Sequence, residues 1–215
     1  MLGSTHEEFA ARTGHEIVER YGMTETGIIT SQPLHGVRKA GKVGRALPGM
    51  QVRVSGAPPG AVEVKGPDVS IEYWNRPELR GTEFTSDGWF KTGDLGILDE
   101  DGSLEIVGRA KDLIITGGLN VYPKELELII DEFPGVLESA VIGLPDPDFG
   151  EAVTAVVVAC AGALLDESAL RAKAASTLAP YKVPKRFIVL NELPRNAMGK
   201  VEKARLRREL SSGGA

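Results

Sequence analysis

The 215-residue chain has a single cysteine, Cys160, so no disulfide can form within it, which fits a reducing compartment. His6, His15 and His35 stand at no metal-ligand spacing with that cysteine, and a His/Cys metal site is not expected. No apolar run approaches the roughly 20 residues that span a bilayer. Met1-Leu2-Gly3 leads straight into polar residues, so no signal peptide is expected. Positive charge is not in excess either. The net charge of −5 argues against a general binder of nucleic acid or membrane surfaces. There are no repeats and no low-complexity segments. What remains is a chain with 42% hydrophobic residues, ordinary for a globular protein and long enough for one domain or two small ones. It reads as soluble and cytoplasmic. Cys160 lies in the apolar run Ala152 to Ala161 and reads as a buried small hydrophobe.

Hydropathy and breaker residues divide the chain near Arg109 to Asp112. Before it, Thr5-x-x-Glu8 reads as a capping box opening a short helix that Gly14 ends. Glu16 to Tyr21 reads as a strand running into a turn at Gly22, and Ser31 to Pro48 as loop. Gln51 to Val54, Ala61 to Lys65, Leu95 to Leu98 and Ser103 to Val107 are strand candidates, the last two joined by a hairpin turn at Asp99-Glu100-Asp101-Gly102. After the boundary, strands alternate with helices. Leu113 to Thr116 is a short strand. A helix begins at Tyr122-Pro123, with Leu126, Ile129, Ile130 and Phe133 as its apolar stripe. Val136 to Ile142 and Ala152 to Val158 read as buried strands. Asp166 caps a helix through Leu178, Pro180 stops it, and Arg186 to Leu190 is a further strand. Glu202 to Leu210 closes the pattern, with residues 209–215 a flexible tail.

Five strings punctuate this pattern. They are Tyr21-Gly22-Met23-Thr24-Glu25-Thr26, Trp89-Phe90-Lys91-Thr92-Gly93-Asp94-Leu95, Gly108-Arg109-Ala110-Lys111-Asp112, Gly117-Gly118-Leu119-Asn120-Val121-Tyr122-Pro123, and Leu193-Pro194-Arg195-Asn196-Ala197-Met198-Gly199-Lys200-Val201. Each alone is commonplace, but their order and spacing together are specific. The set resembles the C-terminal signatures of the adenylate-forming superfamily, the acyl-CoA synthetases and their relatives, over nearly the whole chain. His6 to Ile29 and Leu193 to Lys200 look most like the malonyl-CoA synthetase branch. The resemblance implies an α+β chain. Residues 1–109 would be the C-terminal part of the AMP-binding large domain, mostly β and distorted barrel-like. Residues 110–208 would be the small C-terminal lid domain.

The implied reaction joins a carboxylate to the α-phosphate of ATP, expels pyrophosphate, and passes the acyl group to CoA. In that chemistry Tyr21 offers a flat face to adenine, Gly22 lets the backbone approach the nucleotide, and the resemblance implies Met23 as a nucleotide-binding position beside them. The Thr24 hydroxyl can donate to an α-phosphate oxygen. Glu25 is a hard oxygen ligand suited to Mg²⁺. Asp94, held by Lys91-Thr92-Gly93 at a turn before a strand, can accept from both hydroxyls of a ribose, and Arg109 offers forked donors to ribose or phosphate. Lys200, presented by a loop that Asn196 and Gly199 shape, can bridge the carboxylate and the α-phosphate. The resemblance implies that Lys111 is a hinge between adenylation and thioester formation, and that Gly117 and Gly118 border a tunnel for the CoA arm. Each position has a plainer reading: a strand-to-turn junction at residues 21–25, a turn aspartate at Asp94, a surface salt bridge at Arg109, a solvated lysine at Lys111 or Lys200, and a simple turn at the glycine pair.

One further string, Gly36-Val37-Arg38-Lys39-Ala40-Gly41-Lys42-Val43, nearly matches a Walker phosphate loop. It ends in valine where Ser or Thr should reach the metal, and no strand precedes it. The family's own Ser/Thr/Gly-rich loop for the β- and γ-phosphates is not found in these residues, nor are the sheets that wall the acyl pocket. The segment 51–65 leaves little room for a hairpin that relatives carry, and Glu72 precedes Tyr73-Trp74 where they have glycine. Three functions stay open: an AMP-forming ligase for malonate or another short carboxylate, working with a complementary N-terminal segment; a non-catalytic binding fragment or half of a split enzyme; and an adenylation domain that loads a carrier protein.

Overall fold

The computed structural model of the protein describes residues 3–212. The chain divides into two compact units, Met1–Ala110 and Lys111–Ala215.

In the first unit, helix α1 (Gly3–Thr13) begins before Thr5, so Thr5 lies inside the first turn and does not cap it. Gly14 ends the helix at a φ of +71°, and its N–H donates to the Ala10 carbonyl. Strand β1 (Arg20–Met23) starts later than the sequence suggested, because it pairs antiparallel with β2 (Gly27–Ser31), a strand the sequence did not announce. The reversal falls at Thr24–Thr26, and Gly22 lies within β1 at a bulge. A Cβ on Gly22 would sit 2.2 Å from the Gly27 carbonyl oxygen, so only glycine fits there. The short β3 (Arg45–Ala46) pairs with β2 inside the segment expected to be loop.

A second sheet has the antiparallel order β4 (Gln51–Ser55), β5 (Gly60–Lys65), β6 (Phe90–Leu98), β7 (Leu104–Arg109). A one-turn helix, α2 (Arg80–Glu83), lies in the connection to β6. The shortened segment still closes as a hairpin, with five paired positions from Gln51↔Lys65 to Ser55↔Ala61. Neither sheet closes on itself, which corrects the barrel-like expectation. In the second sheet β4 and β7 are edges, and four strands are far short of the roughly eight that close around a filled interior. Both sheets face one core of Ile29, Met50, Val62, Val64, Phe90 and Leu104, against which Tyr21 and Met23 are partly buried.

The segment resembling a Walker loop is tied down in this unit. The Lys42 ammonium lies 3.0 Å from Asp99 Oδ1 and 2.8 Å from Glu105 Oε2. Gln32 Nε2 donates to the carbonyls of Lys39 and Lys42, and Thr30 Oγ1 to that of Val43. The lysine that a phosphate loop would offer is already paired with two carboxylates, so the segment reads as a structural loop.

The second unit opens with β8 (Ile114–Thr116) and β9 (Leu119–Val121). Gly117 and Gly118 form the two-residue link between them, at φ of +56° and +78°. Two positive φ values in a two-residue hairpin link are what a type I′ turn requires. Helix α3 (Pro123–Ile130) follows, then β10 (Val136–Asp146), β11 (Gly150–Ala159), helix α4 (Glu167–Thr177), β12 (Arg186–Leu190) and helix α5 (Lys203–Ser212). Asp166 caps α4 by accepting from the Ser168 N–H. The sheet order is β10-β11-β8-β9, and β12 runs parallel to β11. β11 is buried on both faces, as its unbroken apolar run requires. Val153, Ala155 and Val157 pack with Leu126 and Ile130 of α3 and Leu170 of α4. Val156 and Val158 face the other way, onto Leu206 of α5 and Leu193. Two expectations need correction. Cys160 is partly exposed, because it sits in the turn after β11, where its carbonyl accepts from Ala163. Helix α5 continues to Ser212 through what was expected to be tail; residues 213–215 lie outside the described residues. No helix among the described residues is long and apolar enough to cross a membrane.

Candidate functional site

In the first unit the expected residues converge on Asp94. This carboxylate is 4% exposed and lies inside β6, not at a turn before it as the sequence suggested. The positive φ of Gly93, +73°, accompanies a register shift against β5 between Ala61 and Glu63; such a bulge re-aims the next side chain. Asp94 pairs with Arg109 across β6 and β7, and Arg109 Nε lies 2.7 Å from Asp94 Oδ1. The Tyr21 hydroxyl donates a hydrogen bond to Asp94 Oδ2. Thr92 Oγ1 accepts from the Asp94 N–H and donates to the Val62 carbonyl. Thr92 is a supporting residue that the sequence did not single out. Burial raises the Tyr21 phenol well above its ordinary value, and the Asp94 charge and hydrogen bond add to the rise. Tyr21 is therefore a neutral donor, and its ring is anchored by its hydroxyl to the carboxylate expected to hold the ribose.

Four residues along the chain from Tyr21 stands Glu25. Thr24 is exposed and Glu25 partly exposed in the turn between β1 and β2. Glu25 Oε1 accepts from the Tyr73 hydroxyl at 2.8 Å, and the Glu25 carbonyl accepts from the Ser70 N–H at 2.7 Å. Burial, followed by the bond to Glu25, pushes the Tyr73 phenol up to about 12. Among the described residues, no cluster of three or more His, Cys, Asp or Glu side chains could cage a metal ion. The second oxygen of Glu25 is a hard oxygen donor of the kind Mg²⁺ takes, and that metal is usually held by one or two carboxylates together with substrate phosphates.

In the second unit, Lys200 is rooted firmly and ends freely. Asn196 Oδ1 accepts from the N–H groups of Met198 and Lys200, both at 3.0 Å, and the Asn196 N–H donates to the Lys200 carbonyl at 2.9 Å. Gly199 supplies the left-handed residue, φ +77°. The Lys200 side chain is exposed. Lys111 is exposed in a single 3₁₀ turn, Ala110–Asp112. Gly117 donates to the Phe149 carbonyl, and a Cβ there would meet the Phe149 ring at 3.3 Å; Gly118 opens onto free space. The turn between β8 and β9 already accounts for both glycines.

Residues 2–74 match the AMP-binding enzyme family, and residues 125–200 match the AMP-binding enzyme C-terminal domain. The chain belongs to the AMP-binding, adenylate-forming enzymes. It is 44% identical to a malonate–CoA ligase of Arabidopsis thaliana, over 93% of this chain and 36% of that protein. It is 43% identical to a sulfoacetate–CoA ligase of Cupriavidus necator, over 94% of this chain and 41% of that protein. ATP-bound MatB from Rhodopseudomonas palustris superposes with a TM-score of 0.91 at 52% identity, over 98% of this chain and 44% of that one. The chain thus spans less than half the length of these relatives.

Proposed function

We propose that this chain carries the nucleotide-handling C-terminal part of an AMP-forming acyl-CoA synthetase acting on malonate or another short carboxylate. The carrying observation is the join between two groups in the first unit. Tyr21 fixes Asp94, the ribose anchor in this reading, and the strand that bears Tyr21 runs directly into the turn of Thr24 and Glu25. A nucleotide's ribose and α-phosphate are likewise adjacent. Asp94 accepts from the ribose with lone pairs that Tyr21 and Arg109 leave free, since a carboxylate has about four. Thr24 donates to the α-phosphate. Glu25 holds Mg²⁺, whose charge offsets that of the phosphates. Lys200 lends its ammonium to the oxygens of the transferring group, and a single preorganised donor of this kind is worth about 10²–10³ in rate. Lys111 serves as the hinge, and the glycine pair borders the path of the CoA arm. The malonate–CoA ligases among the relatives support malonate as the first acid to try.

ATP–pyrophosphate exchange with a panel of carboxylates tests the reading, with the chain alone and with an added N-terminal segment that supplies the β- and γ-phosphate loop. Exchange that depends on one short dicarboxylate is expected only in the supplemented mixture. Positioning of reactants can supply roughly 7–11 kcal/mol of barrier reduction, and the chain alone has no loop to place the outer phosphates. Absence of exchange with every acid in the supplemented mixture would reject the ligase in favour of a non-catalytic binding fragment. Acylation of a carrier protein in preference to CoA would favour the carrier-loading alternative.

A further inference from the structure

Glu25 does not stand free at the end of its turn. The segment Ser70–Trp74 reaches it twice, through the Ser70 N–H to its carbonyl and through the Tyr73 hydroxyl to Oε1. The turn that delivers Tyr73 is itself built for the purpose. The Arg76 N–H donates to the Tyr73 carbonyl at 3.1 Å. Asn75, between them, has a φ of 54°, the only non-glycine residue with positive φ among those described. Asn tolerates that conformation better than most residues, and strained backbone persists where its surroundings hold it. Beside the contact lies a cavity of about 160 Å³ lined by Thr24, Glu25, Glu72, Tyr73, Phe84 and Phe90.

From this geometry we propose that Tyr73 is a positioning residue for the metal-binding carboxylate: its hydroxyl holds Oε1 of Glu25 and thereby directs Oε2 as a single-oxygen ligand for Mg²⁺. The inference rests on the reading of Glu25 given above. A divalent ion of this size accepts little error in ligand direction. An unbraced glutamate would first have to be ordered, and the bond from Tyr73 does so before the nucleotide arrives. Glu72 lines the same cavity and is the competing carboxylate.

The test uses the 215-residue chain and Mn²⁺ as the probe, with loss of the free-ion paramagnetic resonance signal read in the presence of AMP and compared with the same AMP solution without protein. Metal-free AMP binding, measured by calorimetry, is the control. Tyr73→Phe is expected to weaken Mn²⁺ about tenfold, the lower end of the effect of removing a partner behind a metal ligand, and to leave AMP binding unchanged. Glu72→Gln is expected to leave both unchanged. Equal Mn²⁺ affinity in Tyr73→Phe and the parent overturns the proposal, as does a parallel loss of AMP binding, which would mark Tyr73 as merely structural. Loss of Mn²⁺ in Glu72→Gln but not in Tyr73→Phe overturns it in favour of Glu72. If the parent chain itself binds no Mn²⁺ with AMP, or if Glu72→Gln alone loses it, the reading of Glu25 as a ligand fails along with the proposal; the other outcomes leave that reading standing.

Discussion

Tyr21→Phe isolates one hydrogen bond in the first unit. The substitution keeps the ring, which packs against the core of Ile29, Val62 and Phe90, and deletes only the hydroxyl that donates to Asp94. A hydrogen bond to a charged group contributes roughly 1.5–3 kcal/mol. Asp94 is 4% exposed, so water cannot readily replace the lost donor. Arg109 keeps its contact with the carboxylate, which places the expected loss near the middle of the range, about 2 kcal/mol. With a urea slope of roughly 2 kcal/mol per molar for a unit of this size, the midpoint should fall by about 1 M. Tryptophan emission reports this unit alone, because both tryptophans, Trp74 and Trp89, belong to it. Trp89 is the sensitive one: it is partly buried, and Arg53 lies 4.4 Å from its ring centroid. The pH dependence has a definite sign. Burial, then Asp94, raises the Tyr21 phenol above its ordinary 10. The stability this gives is whole below pH 10 and is lost as pH climbs through the folded-state value. The gap between parent and variant should be level from pH 7 to 9 and shrink above pH 10. An unchanged midpoint at pH 7, or a gap that widens in alkali, would refute the reasoning.

Three further outcomes are expected. Gly22→Ala should prevent the first unit from folding normally, because its Cβ would fall 2.2 Å from a carbonyl oxygen; native-like tryptophan emission and melting would contradict this. Lys200→Ala, in an assembly that turns over, should lower adenylation by about 10²–10³ and spare thioester formation from preformed acyl-adenylate; equal loss in both half-reactions, measured separately, would remove the role assigned to Lys200. Limited proteolysis should leave a stable fragment that begins near Asp112, since the second unit fills both faces of its sheet with its own helices; survival of residues 1–109 in its place would contradict this.

Elements with local signals were legible in the sequence. The hairpin of β6 and β7 followed from Asp99 to Gly102, α4 from Asp166 and Pro180, and β11 from its run of valines. Elements defined only by a distant partner were not. β2 and β3 have too few residues to show a period, and β9 lies directly after a glycine pair that reads as loop. The early start of β6 was hidden because Gly93 looks like a turn, whereas in the fold it makes a bulge within the strand. At the site, Tyr21, Asp94 and Arg109 each carried a motif, but nothing in three separate strings says that one hydroxyl and one guanidinium would meet on one carboxylate. Tyr73 lies 48 residues from Glu25. Its one local sign was an asparagine two positions on, whose left-handed backbone only the fold reveals.

β11 changes partners along one edge. Thr116 of β8 meets it at Gly150, and β12 takes over from Thr154 to Val158. That handover sets an order of events during synthesis. The stretch Val153-Thr154-Ala155-Val156-Val157-Val158 emerges about thirty residues before the strand that will cover its edge, and it has no charge and no proline. Such a segment is a ready template for pairing with another chain. Until Leu190 has left the ribosome, a nascent molecule offers that template to every neighbour, and any product that stops short of β12 offers it permanently.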